Sequence, residues 1–219
     1  MINANVTVSK KDKVKSLARR FYIQFAKRSI LFILLSFSIV FTSCGNEGLK
    51  SLNDQEKSDL IFLREEEKLA HDVYFYSFTK YNQNIFFNIY NSEQRHTNII
   101  LGLLNKYGIE DPVGNNLEGV FKNSDLQALY DELISKSDSS LSNALEVGAT
   151  IEDLDIKDIK TFIGHTTNSD LLDAYNKLIC GSQNHLRSFV GQLGTYTPSF
   201  ISQTEYDAII NSAKQHCGN

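Results

Sequence analysis

Residues 86–103 read Phe86-Phe87-Asn88-Ile89-Tyr90-Asn91-Ser92-Glu93-Gln94-Arg95-His96-Thr97-Asn98-Ile99-Ile100-Leu101-Gly102-Leu103. Phe86, Ile89, Ile100 and Leu103 recur at the steps of three and four that bring side chains to one face of a helix. Two positions on that face are not apolar: Glu93 and His96. They sit mid-stripe, three residues apart, so a helix points both at whatever the stripe is buried against. A buried carboxylate is costly unless it is protonated or partnered, so the pair demands a third party.

The same pattern occurs three more times. From about Asp54 to Lys80 the stripe is Leu60, Leu63, Glu67, Ala70, Tyr74. From about Ser140 to Ile163 it is Leu141, Leu145, Gly148, Glu152, Asp155, Ile159, Phe162. From about Ser169 to Leu193 it is Leu171, Tyr175, Leu178, Ser182, His185, Phe189. With the opening segment, from about Gln83 to Tyr107, four helices are predicted, each with a polar or ionisable group between apolar turns. Glu65 and Glu66 fall off the stripe beside Glu67, and a run of acids ordinarily reads as a solvated face. Glu152 also lies in an acidic run, with Asp153, Asp155 and Asp158.

Asp111-Pro112 and Gly114-Asn115-Asn116 break helix after the second segment. Leu126, Leu129, Tyr130 and Leu133 share a face and predict a short helix over Ser124–Lys136, and Thr204 to Gln215 predicts a terminal one. No strand pattern is visible. Short links join segments one to two and three to four, whereas some thirty residues separate two from three. The expected fold is therefore all-α, a four-helix bundle of two hairpins joined by one long crossover, with short extra helices.

No Lys or Arg occupies the stripes to neutralise Glu67, Glu93, Glu152 and Asp155, and His96 and His185 meet them there. Two divalent cations would, and carboxylate with imidazole suits iron, manganese or zinc. Tyr74 and Tyr175, at inward positions, are candidates to hydrogen-bond the ligands. His71 lies off the stripe, His165 near a helix end and His216 in the tail.

These residues resemble a known superfamily. Glu67 followed by Ala70 and Tyr74 is similar to the first-helix pattern of ferritins and rubrerythrins, Glu93-Gln94-Arg95-His96 to their second-helix Glu-x-x-His, and Glu152 with Asp155 to the third-helix ligand and the acid that follows it in rubrerythrins. The fuller wording, with Gly181-Ser182-Gln183-Asn184-His185-Leu186-Arg187, resembles the uncharacterised ferritin-like family catalogued as domain of unknown function 2202, over nearly all of residues 55–192. The resemblance implies a two-metal site, iron foremost, with Glu67, Glu93, His96, Glu152, Asp155 and His185 as metal ligands. Ser182 stands where such proteins commonly have a fourth-helix Glu; it is expected to be a hydrogen-bonding or vacant position.

The whole chain has 219 residues and a net charge of −4. Residues 1–43 hold eight basic residues and one acid, +7, which leaves −11 for the rest. An acidic body excludes nonspecific nucleic-acid binding, which needs a basic face. The basic stretch precedes the apolar run Ile30–Phe41, too short for a confident bilayer span, and then Phe41-Thr42-Ser43-Cys44-Gly45. This order reads as a secretory signal and its end resembles the lipobox of bacterial lipoproteins, with Phe41 where Leu is usual. An uncleaved anchor helix is the other reading. Residues 1–43 are thus expected to be a signal peptide, 44–53 a tether lipidated at Cys44, 54–196 the four-helix domain, and 197–219 a short helix and tail. The body would then be held at a membrane in the cell envelope, facing outside the cytoplasm. Cys180 and Cys217 remain there, where two cysteines can pair; the sequence does not give their separation.

No nucleophile elbow, P-loop or dinucleotide fingerprint occurs. Two functional classes stay open: a lipoprotein that binds iron at a di-metal carboxylate site and oxidises it with oxygen or peroxide, or a membrane-anchored helical interaction module with a structural or vestigial metal site. A homodimer is compatible with either.

Overall fold

The structure, a computed structural model, describes residues 51–218. The segment read as a signal peptide, with Cys44 and most of the tether, lies outside the described residues. Six helices and no strand occur among the described residues: α1 Asp54–Tyr81, α2 Asn84–Lys106, α3 Ser124–Ser137, α4 Leu141–Ile163, α5 Ser169–Leu193 and α6 Gln203–Ile210.

Each boundary has a local cause. Asn53 and Glu56 form a reciprocal capping box that starts α1. Asn82, in the left-handed region at φ 49°, ends α1 and turns the chain into α2 within two residues. Side chains of Asn123, Ser140, Asn168 and Ser202 cap α3, α4, α5 and α6 by accepting first-turn N–H groups. The four long helices make a closed set of neighbours, with α1 against α2, α2 against α5, α5 against α4 and α4 against α1. One apolar layer contains Leu60, Leu63, Ile100, Leu104, Ile159, Leu171 and Leu178, joined by Leu52 from ahead of α1. A second contains Tyr74, Phe86 and Phe189, with ring centroids 5.2 Å apart for Tyr74–Phe189 and 5.9 Å for Phe86–Phe189.

The crossover and the segment after α5 are fastened by charged residues that the helices bury. Arg64 grips Asp111 with two N–H groups at 3.1 Å each. Glu65 accepts from the backbone N–H groups of Lys122 at 2.5 Å and Asn123 at 3.1 Å. Lys68 pairs with Asp72 and donates to the Leu117 carbonyl, and Asp72 accepts from Gly119 N–H. The acidic run of α1 is therefore no solvated face: Glu65, Glu66 and Glu67 are all buried, Glu65 under the crossover, Glu66 beside Asp155 and Asp158 of α4, and Glu67 against His96 of α2. On α4, Asp153 does the same for the other segment. It accepts from the Tyr196 hydroxyl and from the N–H groups of Ser199, Phe200 and Ile201.

The terminal helix stops at Ile210, short of the expected Gln215. Asn184 exchanges hydrogen bonds with the Gln215 backbone, N–H to Oδ1 at 3.0 Å and Nδ2 to carbonyl at 2.9 Å. A disulfide joins Cys180 to Cys217 across a Cα separation of 5.4 Å. Both draw the tail back along α5 in an extended path. Closing a loop of this length removes unfolded-state entropy equivalent to about 4 kcal/mol.

Asp153→Ala leaves three N–H groups, one buried and two part-buried, without an acceptor. The expected loss is about 2–4 kcal/mol of unfolding free energy, read from urea denaturation, with faster proteolysis within residues 194–202.

Candidate metal centre

Between the apolar layers the four stripes put their polar members together. Glu67 from α1, Glu93 and His96 from α2, Glu152 from α4 and His185 from α5 are all buried. Ligand atoms of Glu67, Glu93 and His96 lie within 4.8 Å of one another, as do those of Glu93, Glu152 and His185. Glu93 belongs to both groups. Its Oε2 is 2.7 Å from His96 Nδ1 and its Oε1 is 2.7 Å from His185 Nδ1. Glu67 Oε2 is 3.2 Å from His96 Nδ1, and Glu152 Oε1 is 3.5 Å from His185 Nδ1.

The supports are as specific as the ligands. The Tyr74 hydroxyl donates to Glu152 Oε1 at 2.7 Å and so fixes which oxygen stays free. Gly181 lies against the His96 ring, where an added Cβ would come within 2.5 Å of Nε2. The two imidazoles are stacked, with centroids 5.6 Å apart.

Not every expected residue joins. Asp155 is buried one turn beyond Glu152, outside both groups, and the nearby charge that acts on it most is Glu66. Ser182 is buried, but its hydroxyl donates to the Leu178 carbonyl at 3.2 Å, within its own helix. Tyr175 lies in the apolar layer, 6.2 Å from the Phe162 centroid, with Asp59 and Glu56 as the charges it feels. It shares the stripe with His185 but sits ten residues, about 15 Å, along the helix. His165 bonds Asp59 and His71 bonds Asp72, both away from the cluster. Arg187 holds the Ile209 carbonyl at 2.8 Å and thus docks α6 on α5. Glu66, read as solvated, is a buried acid beside the site; it is covered by α4, a distant segment that left no local signal.

Burial pushes Glu67 up to about 7, against the pull of His96. Burial also raises Glu152, with His185 opposing, and raises Asp155 well above the carboxylate range, reinforced by Glu66. Burial alone would raise Glu93 too, but the charges of His185 and His96 outweigh it and hold it below the ordinary range. For the imidazoles burial works downward and is overcome: Glu93 and Glu152 bring His185 up to about 9, and Glu93 and Glu67 hold His96 well above its usual value. Protons therefore occupy the positive role in the protein alone.

The fit to cations can be read from unpaired atoms. Glu67 Oε1, both Glu93 oxygens, Glu152 Oε2 and His185 Nδ1 are buried without a hydrogen-bond partner, despite the 2.7 Å approach of His185 to Glu93. Atoms this close yet unaligned for bonding to each other have the arrangement that ligands around shared cations would take. Oxygen and imidazole donors in this number suit divalent first-row metals.

Fold and site together define an all-helical protein with a central carboxylate–histidine cluster. The chain belongs to the family described as "Uncharacterized protein domain (DUF2202)", which matches residues 56–213 and so spans all of these ligands. "Uncharacterized protein MJ0754" of Methanocaldococcus jannaschii is 47% identical over 168 residues, 75% of this chain and 91% of that protein. The crystal structure of hypothetical protein MJ0754 from Methanococcus jannaschii DSM 2661 superposes with a TM-score of 0.75 at 45% identity, covering 78% of this chain and 100% of that one.

His185, raised from 6.5 to about 9, stabilises the metal-free fold fully below pH 6.5 and loses that contribution as pH rises through 9. Glu67, favoured as the neutral acid, loses its contribution between 4.5 and about 7. In chelator, the melting temperature is expected to fall from about pH 6 to about pH 9. Cations displace these protons, so saturating cobalt(II) should flatten or reverse that slope, measured by calorimetry.

Proposed function

We propose that this chain is a ferritin-like four-helix protein of the cell envelope that binds two divalent cations, iron foremost, and oxidises ferrous iron. The observation that carries the reading is the placement of Glu93, one carboxylate with an oxygen turned to each imidazole. Glu67 and His96 would hold one cation, Glu152 and His185 the other, and Glu93 both. The connectivity supports the ferritin-like assignment: two hairpins, α1–α2 and α4–α5, joined by a crossover that carries α3.

Ferrous iron held at these positions would supply one electron per ion to oxygen or hydrogen peroxide. With peroxide, two ferrous ions and two protons give two ferric ions and two waters. The chain's own part is to place and shield. Buried carboxylates favour the higher metal charge, Tyr74 orients Glu152, and the apolar layers exclude bulk water.

Ser182 favours a second reading, a cation-stabilised helical module without turnover. Its hydroxyl is committed to the Leu178 carbonyl, so no second carboxylate is shared from α5. Metal analysis of the purified full-length chain separates the cases. The first reading expects two equivalents of iron, lost in Glu93→Ala/His96→Ala with helicity intact, and ferrous oxidation faster than in buffer under oxygen or peroxide. Binding without oxidation supports the second. A folded chain that takes up neither iron nor manganese overturns both.

The envelope assignment rests on the signal-like residues 1–43 and on Cys44, and the Cys180–Cys217 disulfide supports an oxidising compartment. Among the described residues no helix is long and apolar enough to cross a membrane. In a bacterial host, a clickable fatty-acid analogue is expected to label the wild-type chain and not Cys44→Ser; equal labelling overturns lipidation at that residue.

A further inference from the structure

Three acids beside the cluster have no part in the proposed cation pair: Glu66, Asp155 and Asp158. Glu66 and Asp155 are each 1% exposed; neither Asp155 oxygen has a hydrogen-bond partner, and the hydrogen-bonding neighbour of Glu66 is another acid, Asp158. They project from neighbouring helices, Glu66 adjacent to Glu67 on α1 and Asp155 three residues beyond Glu152 on α4. The charges each one feels show which of them are neighbours. Asp155 is acted on most by Glu66, then by Glu67, Glu152 and Glu93. Glu66 is acted on most by Asp158, then by Glu67. Asp158 is the outer member, its side chain 18% exposed and 3.2 Å from Lys157 Nζ.

The helix makes this a graded row. Each step of three residues from Glu152 to Asp155 to Asp158 climbs about 4.5 Å and turns about 60° away from the axis of the bundle. The donors along the row are carboxylate oxygens, with Lys157 as the counter-charge at the outer step, and oxygen donors alone make a weak and fast-exchanging environment for a hard divalent cation. On the histidine side His96 presses on the Gly181 backbone, and the tail is strapped to α5 at Asn184 and Cys180.

We propose that Asp158, Glu66 and Asp155 form the route by which divalent cations pass between solvent and the central pair, with Glu66 and Asp155 as a transient seat. The inference rests on the reading of the cluster as a cation site. A residue of passage lowers the barrier in both directions, whereas a ligand stabilises the bound state alone. The two roles therefore differ in kinetics.

The test uses the metal-free full-length chain and cobalt(II), followed by stopped-flow absorbance. Glu66→Gln is expected to slow loading about tenfold or more, and Asp158→Asn several-fold, since a focused field raises arrival rates by such factors. Chelator-driven release should slow by the same factor, so equilibrium affinity and stoichiometry at the central pair are unchanged. Asp131→Asn, at an exposed position of α3, controls for net charge and should load like wild type. Wild-type rates in both variants overturn the route. So does slower loading with unchanged or faster release, which would make these acids ligands. If Glu66→Gln does not fold by circular dichroism, Asp158→Asn at the rim decides alone. A wild-type chain that binds no cobalt(II) overturns the cation-site reading itself, an outcome distinct from normal binding with unaltered rates.

Discussion

The constraint on which this molecule depends is repulsion among like charges taken out of water. Glu67, Glu93, Glu152, Asp155 and Glu66 are buried within one core, and the groups that answer them are two imidazoles. At the short separations observed, and in a medium less polar than water, such carboxylates cannot all ionise unaided. Protons or cations must share the space. Helix length, apolar layers and caps serve to bring the groups to one depth and hold them there. Glu93 is the pivot, because it alone faces both histidines.

Around that centre the fold uses buried charge a second time, for fastening. Arg64, Glu65, Lys68 and Asp72 dock the crossover, and Asp153 docks the segment that follows α5. These groups are matched to backbone donors and acceptors or to opposite charge. Acids one or two residues away are not matched in this way. Neighbours in sequence thus take opposite roles: Glu65 holds the crossover while Glu66 faces only another acid, Asp158, and Asp153 is saturated while Asp155 is not.

Much of this was legible from spacing. Steps of three and four located the four long helices and selected Glu67, Glu93, His96, Glu152 and His185, since periodicity reports which face a residue takes. It does not report depth along the axis, so Tyr175 shared the right face while lying in a different layer. Nor does it report what a distant segment will cover. Glu65 and Glu66 looked solvated because what covers them is distant in the chain, the crossover for Glu65 and α4 for Glu66. The tail is a similar case. Local propensity extended the last helix, but Cys180, Cys217 and Asn184 stopped it through contacts that only folding brings together.

Gly181 bears on more than packing. An imidazole can present either nitrogen to a metal, and the choice is commonly made by a hydrogen bond to the other one. Here the bare α-carbon admits the Nε2 edge of His96 to a niche that any side chain would fill. A cation held by His96 would therefore meet Nδ1, a preference set in the backbone by a missing methyl group, and a single added carbon at position 181 would disturb it while leaving every donor atom in the sequence.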